Sequence, residues 1–119
     1  MIKITTEEQG EIMIMHLDGK LFLEALPNLT KKWDSMVRKE PRIIAINCKN
    51  LYSIDSSSIG TLVKFFNETM SKKIQLVFFD LNPSIRKLFR TTHLENFFSI
   101  TTGEQFRKKY AARSVEKVG

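Results

Sequence analysis

The chain reads as one small α/β domain with element order β-β-α-β-α-β-α-β-α: a mostly parallel central sheet, an N-terminal β-hairpin, and helices packed on the sheet. Three observations predict this. Apolar residues gather in short stretches of strand length, the spacing between the later stretches changes to threes and fours, and Gly10, Pro41 and Pro83 punctuate the changes. Parallel strands need crossover connections, and the helix-spaced segments supply them. With 119 residues, 42% of them hydrophobic, the chain is sized for one core. Residues 1–113 are assigned to that domain, and residues 114–119, which carry little apolar pattern, are expected to be a disordered tail.

Residues 2–6 and 11–17 are the hairpin strands, joined through Glu7-Glu8-Gln9-Gly10, where Gly10 can take the positive φ that a tight turn needs. In the second strand Ile12, Ile14 and His16 point one way and Met13, Met15 and Leu17 the other, so the strand belongs inside the sheet. After Gly19, residues Leu26, Leu29, Trp33, Met36 and Val37 fall three and four apart and predict an amphipathic helix over 24–39. Pro27 lies in its first turn, where a missing N–H costs nothing. Beyond Pro41, residues 42–48 are too apolar on both sides for a sheet edge and read as the central strand.

Residues 49–54 lead into Asp55 and three serines, after which Ile59, Leu62, Val63, Phe66 and Met70 mark the core stripe of a helix over 57–72. Phe65 falls off that stripe with Thr61 and Thr69. Residues 73–79 are the fourth strand. Asn82-Pro83 opens a third helix with Pro83 at its first helical position and Ile85, Leu88 and Phe89 facing in. Residues 97–100 give a fifth strand. Thr101 or Thr102 then caps a last helix holding Phe106 and Tyr110, because Glu104 and Gln105 stand three residues on, the capping-box spacing.

The formal charge is +6, from 19 Lys and Arg against 13 Asp and Glu, which raises polyanions as partners. The bases, however, fall in short groups at helix ends and polar faces, where positive charge is ordinary solvation, and no aromatic-interleaved basic stripe accompanies them. Nucleic acid is not expected as a partner. The first eight residues turn polar too soon for an export core, and runs such as Leu76-Val77-Phe78-Phe79 fall far short of the roughly 20 residues that span a bilayer. The expectation is a cytoplasmic protein that does not insert into membranes. Cys48, the single cysteine, has no partner for a disulfide and reads as structural. His16 and His93 lack metal-ligand spacing, no Walker-type loop is present, and Asp55 with Ser56 has no evident base, so neither cofactor, metal nor catalytic site is assigned.

The segment Asp55-Ser56-Ser57-Ser58-Ile59-Gly60 stands out. It joins a central strand to a helix N-terminus, where unpaired backbone N–H groups and the positive end of the helix dipole converge. In open α/β sheets that edge is where ligands and partners meet the fold. One cap would satisfy the helix, and any of Asp55, Ser56 or Ser57 could be it; three serines after an aspartate exceed that need.

This run resembles the Asp-Ser-Ser-Gly-Leu-Gly signature of STAS domains, the family of bacterial anti-sigma-factor antagonists. Leu17-Asp18-Gly19-Lys20-Leu21 resembles the family's Leu-x-Gly-x-Leu after the second strand, and Asn82-Pro83-Ser84-Ile85-Arg86-Lys87-Leu88-Phe89, followed by Leu94 and Phe97, resembles its third helix. The resemblance implies a STAS-like domain in which Ser56, with Ser57 as the alternative, is the phosphoacceptor of an anti-sigma factor with serine kinase activity. That kinase is also the partner, captured when the serine is unphosphorylated and released on phosphorylation. Asp55, Ser57, Ser58 and Gly60 are the implied contact residues. Two positions depart from the pattern. Phe22 stands where kinase-coupled members often have Asp, and Ser58 stands at the signature's first Gly. Phe22, with Phe65, points to a more apolar docking surface. The alternative reading is a constitutive STAS interaction module, such as a cytoplasmic subunit of a membrane transport complex, without phosphorylation.

Overall fold

The hairpin forms, and both of its strands run longer than the alternation suggests. The structure, a computed structural model, describes residues 2–111; the expected tail at 114–119 lies outside them, as does the side chain of Tyr110. Strand β1, Ile2–Gln9, pairs antiparallel with β2, Ile12–Leu21, from Gln9↔Ile12 to Ile2↔Gly19, and Gly10 turns the chain with a φ of 61°. Residues 18–21, expected beyond the second strand, are its last four residues and pair with β3 from Asp18↔Asn50 to Leu21↔Ile54. The pairing shifts register twice on the way, between His16 and Asp18 and between Gly19 and Lys20, and Gly19 takes a φ of 125° that a side chain would resist.

Helix α1, Leu26–Val37, follows a short 3-10 turn, Leu23–Ala25, and carries Pro27 near its start. Strand β3 spans Ile43–Ile54, so residues 49–54 are strand and not a lead-in. Their ladder is one-sided: β3 pairs with β4 only as far as Asn47↔Phe79, whereas its pairing with β2 continues to Leu21↔Ile54. Then come α2 at Ser56–Ser71, β4 at Gln75–Phe79, α3 at Pro83–Thr91, β5 at Ser99–Thr101 and α4 at Gly103–Phe106. A π-helical turn, Arg107–Ala111, continues from α4. Thr102 is the cap of α4 and makes the full capping box with Gln105. The predicted strand at 97–100 is displaced: Leu94–Asn96 is a 3-10 turn, and Phe97 lies exposed before β5 begins.

The sheet order is β1-β2-β3-β4-β5, parallel from β2 onward, with β3 at its centre as expected. Alternation along β3 sends Ile44, Ile46 and Cys48 to one face and Ile43 and Ala45 to the other, and both sets are buried. Helices α1, α2 and α3 cover the first face with Trp33, Leu62, Phe65, Ile85 and Phe89, while Phe106 of α4 covers the second, stacked on Phe79 at 4.6 Å. Each fully buried side chain of this kind contributes about 1.5–3 kcal/mol. Every crossover helix runs back against the parallel strands. The N-termini of α1, α2 and α3 therefore share one edge of the sheet with the C-terminal ends of β2, β3 and β4.

Candidate functional site

At that edge the serine turn is built around Asp55. Its backbone is extended, with φ −93° and ψ 173°, and its carboxylate caps α2 by accepting the Ser58 N–H at 2.9 Å on Oδ1. The Ser58 hydroxyl, at 2.7 Å from the same oxygen and 2.7 Å from the Leu21 carbonyl, shares its proton between them. Oδ2 accepts the Leu23 N–H at 2.9 Å. The Asp55 N–H closes the set by donating to the Leu21 carbonyl at 3.3 Å. The Ser58 hydroxyl, the Ser58 N–H and the Leu23 N–H all stabilise the ionised form, against a smaller opposing effect of burial, and hold the Asp55 carboxyl below the usual carboxylate range.

This network ties the end of β2 to the start of α2, so Phe22, between Leu21 and Leu23, is held beside the turn and is half-buried there. Because Asp55 does the capping, Ser56 and Ser57 are left without that duty. Both are exposed on the first turn of α2, and neither hydroxyl has a partner among the described residues. Gly60, one turn further on, is also exposed, and a Cβ added there would meet nothing within 4 Å. The chain's own packing does not require a glycine at that position.

Two of the residues expected at the partner surface are elsewhere. Ser58 is fully buried, its hydroxyl turned inward to Leu21 and Asp55, so it serves the turn from beneath. Phe65 is 2% exposed and lies flat on Trp33, with ring centroids 4.1 Å apart and planes 3° from parallel. The core stripe of α2 is Ser58, Leu62, Phe65 and Thr69, rotated from the predicted one; Ile59, Val63 and Phe66 are half-buried and Met70 is exposed. The reason is Trp33. Its large ring on α1 needs a flat partner, and its indole N–H donates to Glu68 Oε1 at 2.9 Å, which turns the Phe65 and Glu68 side of α2 toward α1.

Two exposed apolar residues near the turn went unnoticed in the sequence: Leu23, whose N–H is bonded to Asp55, and Tyr52, on the one-sided end of β3. The available signal was their position between buried neighbours, Leu21 and Leu51 with Ile54. The other singled-out groups are engaged structurally. His16 has Nε2 2.8 Å from Glu7 Oε1 and Nδ1 3.0 Å from Asn47 Nδ2. The Cys48 thiol is buried, and burial pushes its pKa far up, so it is held as the thiol and not the thiolate. Among the described residues, no helix is long and apolar enough to cross a membrane, and no group of three or more His, Cys, Asp or Glu could hold a metal ion.

Comparison with solved structures shows the same fold in several proteins. An anti-sigma factor antagonist from Mycobacterium paratuberculosis superposes with a TM-score of 0.77 at 14% identity, over 99% of this chain and 94% of that one. The phosphorylated form of the Bacillus cell fate determinant SpoIIAA gives 0.65 at 18% identity over 100% of both chains. A sulfate transporter family protein from Wolinella succinogenes gives 0.71 at 14% identity, over 89% of this chain and 88% of that one. At the level of sequence, residues 3–110 match the STAS domain family, and with nearly the whole chain inside that match the protein belongs to it.

Proposed function

We propose that this protein is an anti-sigma-factor antagonist that works by partner switching. With Ser56 unmodified, the corner formed by Ser56, Ser57, Gly60, Phe22 and Leu23 binds an anti-sigma factor that is also a serine kinase. Transfer of the γ-phosphoryl group of ATP to the Ser56 oxygen, with loss of the hydroxyl proton and release of ADP, ends the binding. The observation that carries the reading is the division of labour at the turn: Asp55 caps the helix, so the Ser56 hydroxyl stands exposed with no structural duty. A phosphoryl group there adds about −1.5 to −2 charges beside an ionised Asp55, which a closely docked partner would have to desolvate. The positive end of α2 compensates part of that charge in the free protein, so the switch needs no refolding. The open space around Gly60 supports close approach of a partner backbone.

The test is incubation with a panel of purified anti-sigma-factor kinases and ATP, followed by mapping of the modified residue by mass spectrometry. Modification at Ser56, lost in Ser56→Ala and retained in Ser57→Ala, is the expected result. No modification by any kinase, together with Ser56→Asp leaving partner binding intact, would remove the switch. That outcome would favour the second reading, a constitutive STAS interaction module, which the apolar Phe22 at the rim of the turn supports.

A further inference from the structure

Strand β1 forms one margin of the sheet, and along its eight residues the outer edge has no strand beside it among the described residues. The opposite margin, β5, is three residues long. Sheet edges are blunted in natural proteins by prolines, bulges or charges that repel a second strand. The edge of β1 has none of these. Ile2–Gln9 contains no proline, its ladder with β2 advances without a register shift, and its charges are of both signs, Lys3 toward one end and Glu7 and Glu8 toward the other.

The hairpin decides which backbone groups that edge offers. Gly10 and Glu11 form a two-residue turn, so the closing pair Gln9↔Ile12 is hydrogen-bonded, and bonded and non-bonded pairs alternate from there. Lys3, Thr5, Glu7 and Gln9 therefore direct their N–H and C=O groups to β2, while Ile2, Ile4, Thr6 and Glu8 point theirs outward. A second copy of β1 can lie antiparallel along the edge only where outward residues face outward residues. Two registers do so along most of the strand. One puts Thr6 opposite its own copy and sets Lys3 against Gln9. The other centres on Thr5, sets Ile4 against Thr6 and Ile2 against Glu8 as bonded pairs, and twice brings Lys3 opposite Glu7 at non-bonded positions, where side chains stand closest. Both side chains are exposed and prepared for that contact. Lys3 has no ion pair among the described residues, not even with Asp18 across the hairpin. Glu7 is held in place by His16 Nε2, 2.8 Å from its Oε1, and by the Gln9 amide on its Oε2, with lone pairs left for an ammonium.

We propose that the edge of β1 is a homodimer interface, in which two copies pair antiparallel about a two-fold axis at Thr5 and join their five-stranded sheets into one. The occupant is a second copy because the strand is complementary to itself in both charge and hydrogen-bonding parity. With the axis perpendicular to the sheet, the face covered by α1, α2 and α3 in one protomer adjoins the same face in the other, and the half-buried Ile2 gains cover. The axis also reverses strand direction. The two Ser56 corners then stand at opposite ends of the joined sheet, both open, so one dimer can hold two partners. The dimer itself does not depend on the partner-switching reading.

The test uses the full chain. Sedimentation equilibrium should show monomer and dimer in a balance that follows concentration. Thr6→Pro removes an outward N–H without touching a bond to β2 and should abolish the dimer; Thr6 is exposed, so the circular dichroism of the diluted variant should match that of the parent. Lys3→Glu should weaken the dimer about tenfold, because both cross-strand pairs turn repulsive, and adding Glu7→Lys should restore it. Oxidation reads the register. Cys48 is buried and does not compete, so Thr5→Cys should give a disulfide-linked dimer, with its two Cα atoms facing at about 4.5 Å, whereas Thr6→Cys should not. A chain that stays monomeric at every concentration overturns the proposal and leaves the edge to a strand of another protein. A dimer that survives Thr6→Pro, or one that crosslinks through Thr6→Cys and not through Thr5→Cys, overturns it equally.

Discussion

Replacing Phe65 by Ala tests whether that ring belongs to the core or to a partner. The ring is 2% exposed, lies flat against Trp33 at 4.1 Å, and sits on α2 between the buried Leu62 and Thr69. Truncating a buried Phe costs about 3–5 kcal/mol, of which the ring pair accounts for about 0.5–1.5. The hole should collapse poorly, because the Glu68 bond holds Trp33 from its far end and the sheet backs both helices. A loss of about 4 kcal/mol is therefore expected. A chain of this length has a total stability of roughly 6–18 kcal/mol, so the variant should fold but with little margin. Trp33 is the sole tryptophan and reports directly on the site by fluorescence. In urea, with a slope of about 2 kcal/mol per molar, the midpoint should fall by about 2 M. A loss below about 1 kcal/mol, accompanied by weakened partner binding in a folded Phe65→Ala, would show that the ring faces outward and that the rotated stripe on α2 is wrong.

Four further outcomes are expected. Ser58→Ala removes a buried hydroxyl that serves both Leu21 and Asp55; it should cost about 1–2 kcal/mol in denaturant unfolding and let the Asp55 carboxyl titrate closer to its ordinary range in an NMR pH series. Since folding lowers the Asp55 pKa, its ionised form stabilises the native state above the unfolded value of about 3.9, and that contribution is lost as pH falls through the lower folded value. The stability gap between the parent and Asp55→Ala should accordingly be constant near neutrality and narrow in that acid window; a gap that stays unchanged down to pH 2 contradicts the network. Gly60→Ala should raise stability by about 0.5–1 kcal/mol, since helical glycine is unfavourable and the new methyl meets nothing, while weakening the partner; a stabilised variant with full binding would remove Gly60 from the interface. Gly103→Ala should lose about 1–3 kcal/mol in thermal or urea unfolding, because its Cβ would run into the Asp80 carboxylate that accepts the Gly103 N–H at 2.6 Å. Unchanged stability would mean that Asp80, itself at a φ of 59°, can swing away.

Local chemistry in the sequence was enough for the element order, the central place of β3, the proline at the start of α3 and the capping box of α4, because period, punctuation and caps act between residues a few positions apart. The same chemistry brought out the serine turn as a strand-to-helix corner, and the family followed from motifs in order along the chain. The tertiary structure alone decided which way α2 is rotated. Ile59, Val63, Phe66 and Met70 are as apolar as Leu62 and Phe65, and only the flat face of Trp33 on another helix chose between the two stripes. It also decided which residue caps α2. Asp55 and the serines are all competent caps, and the choice fell to Asp55 because its second oxygen meets the Leu23 N–H from the end of β2, while Ser58 turns inward to Leu21. Both decisions depend on groups more than thirty residues apart in the chain, and the exposure of Ser56 follows from them.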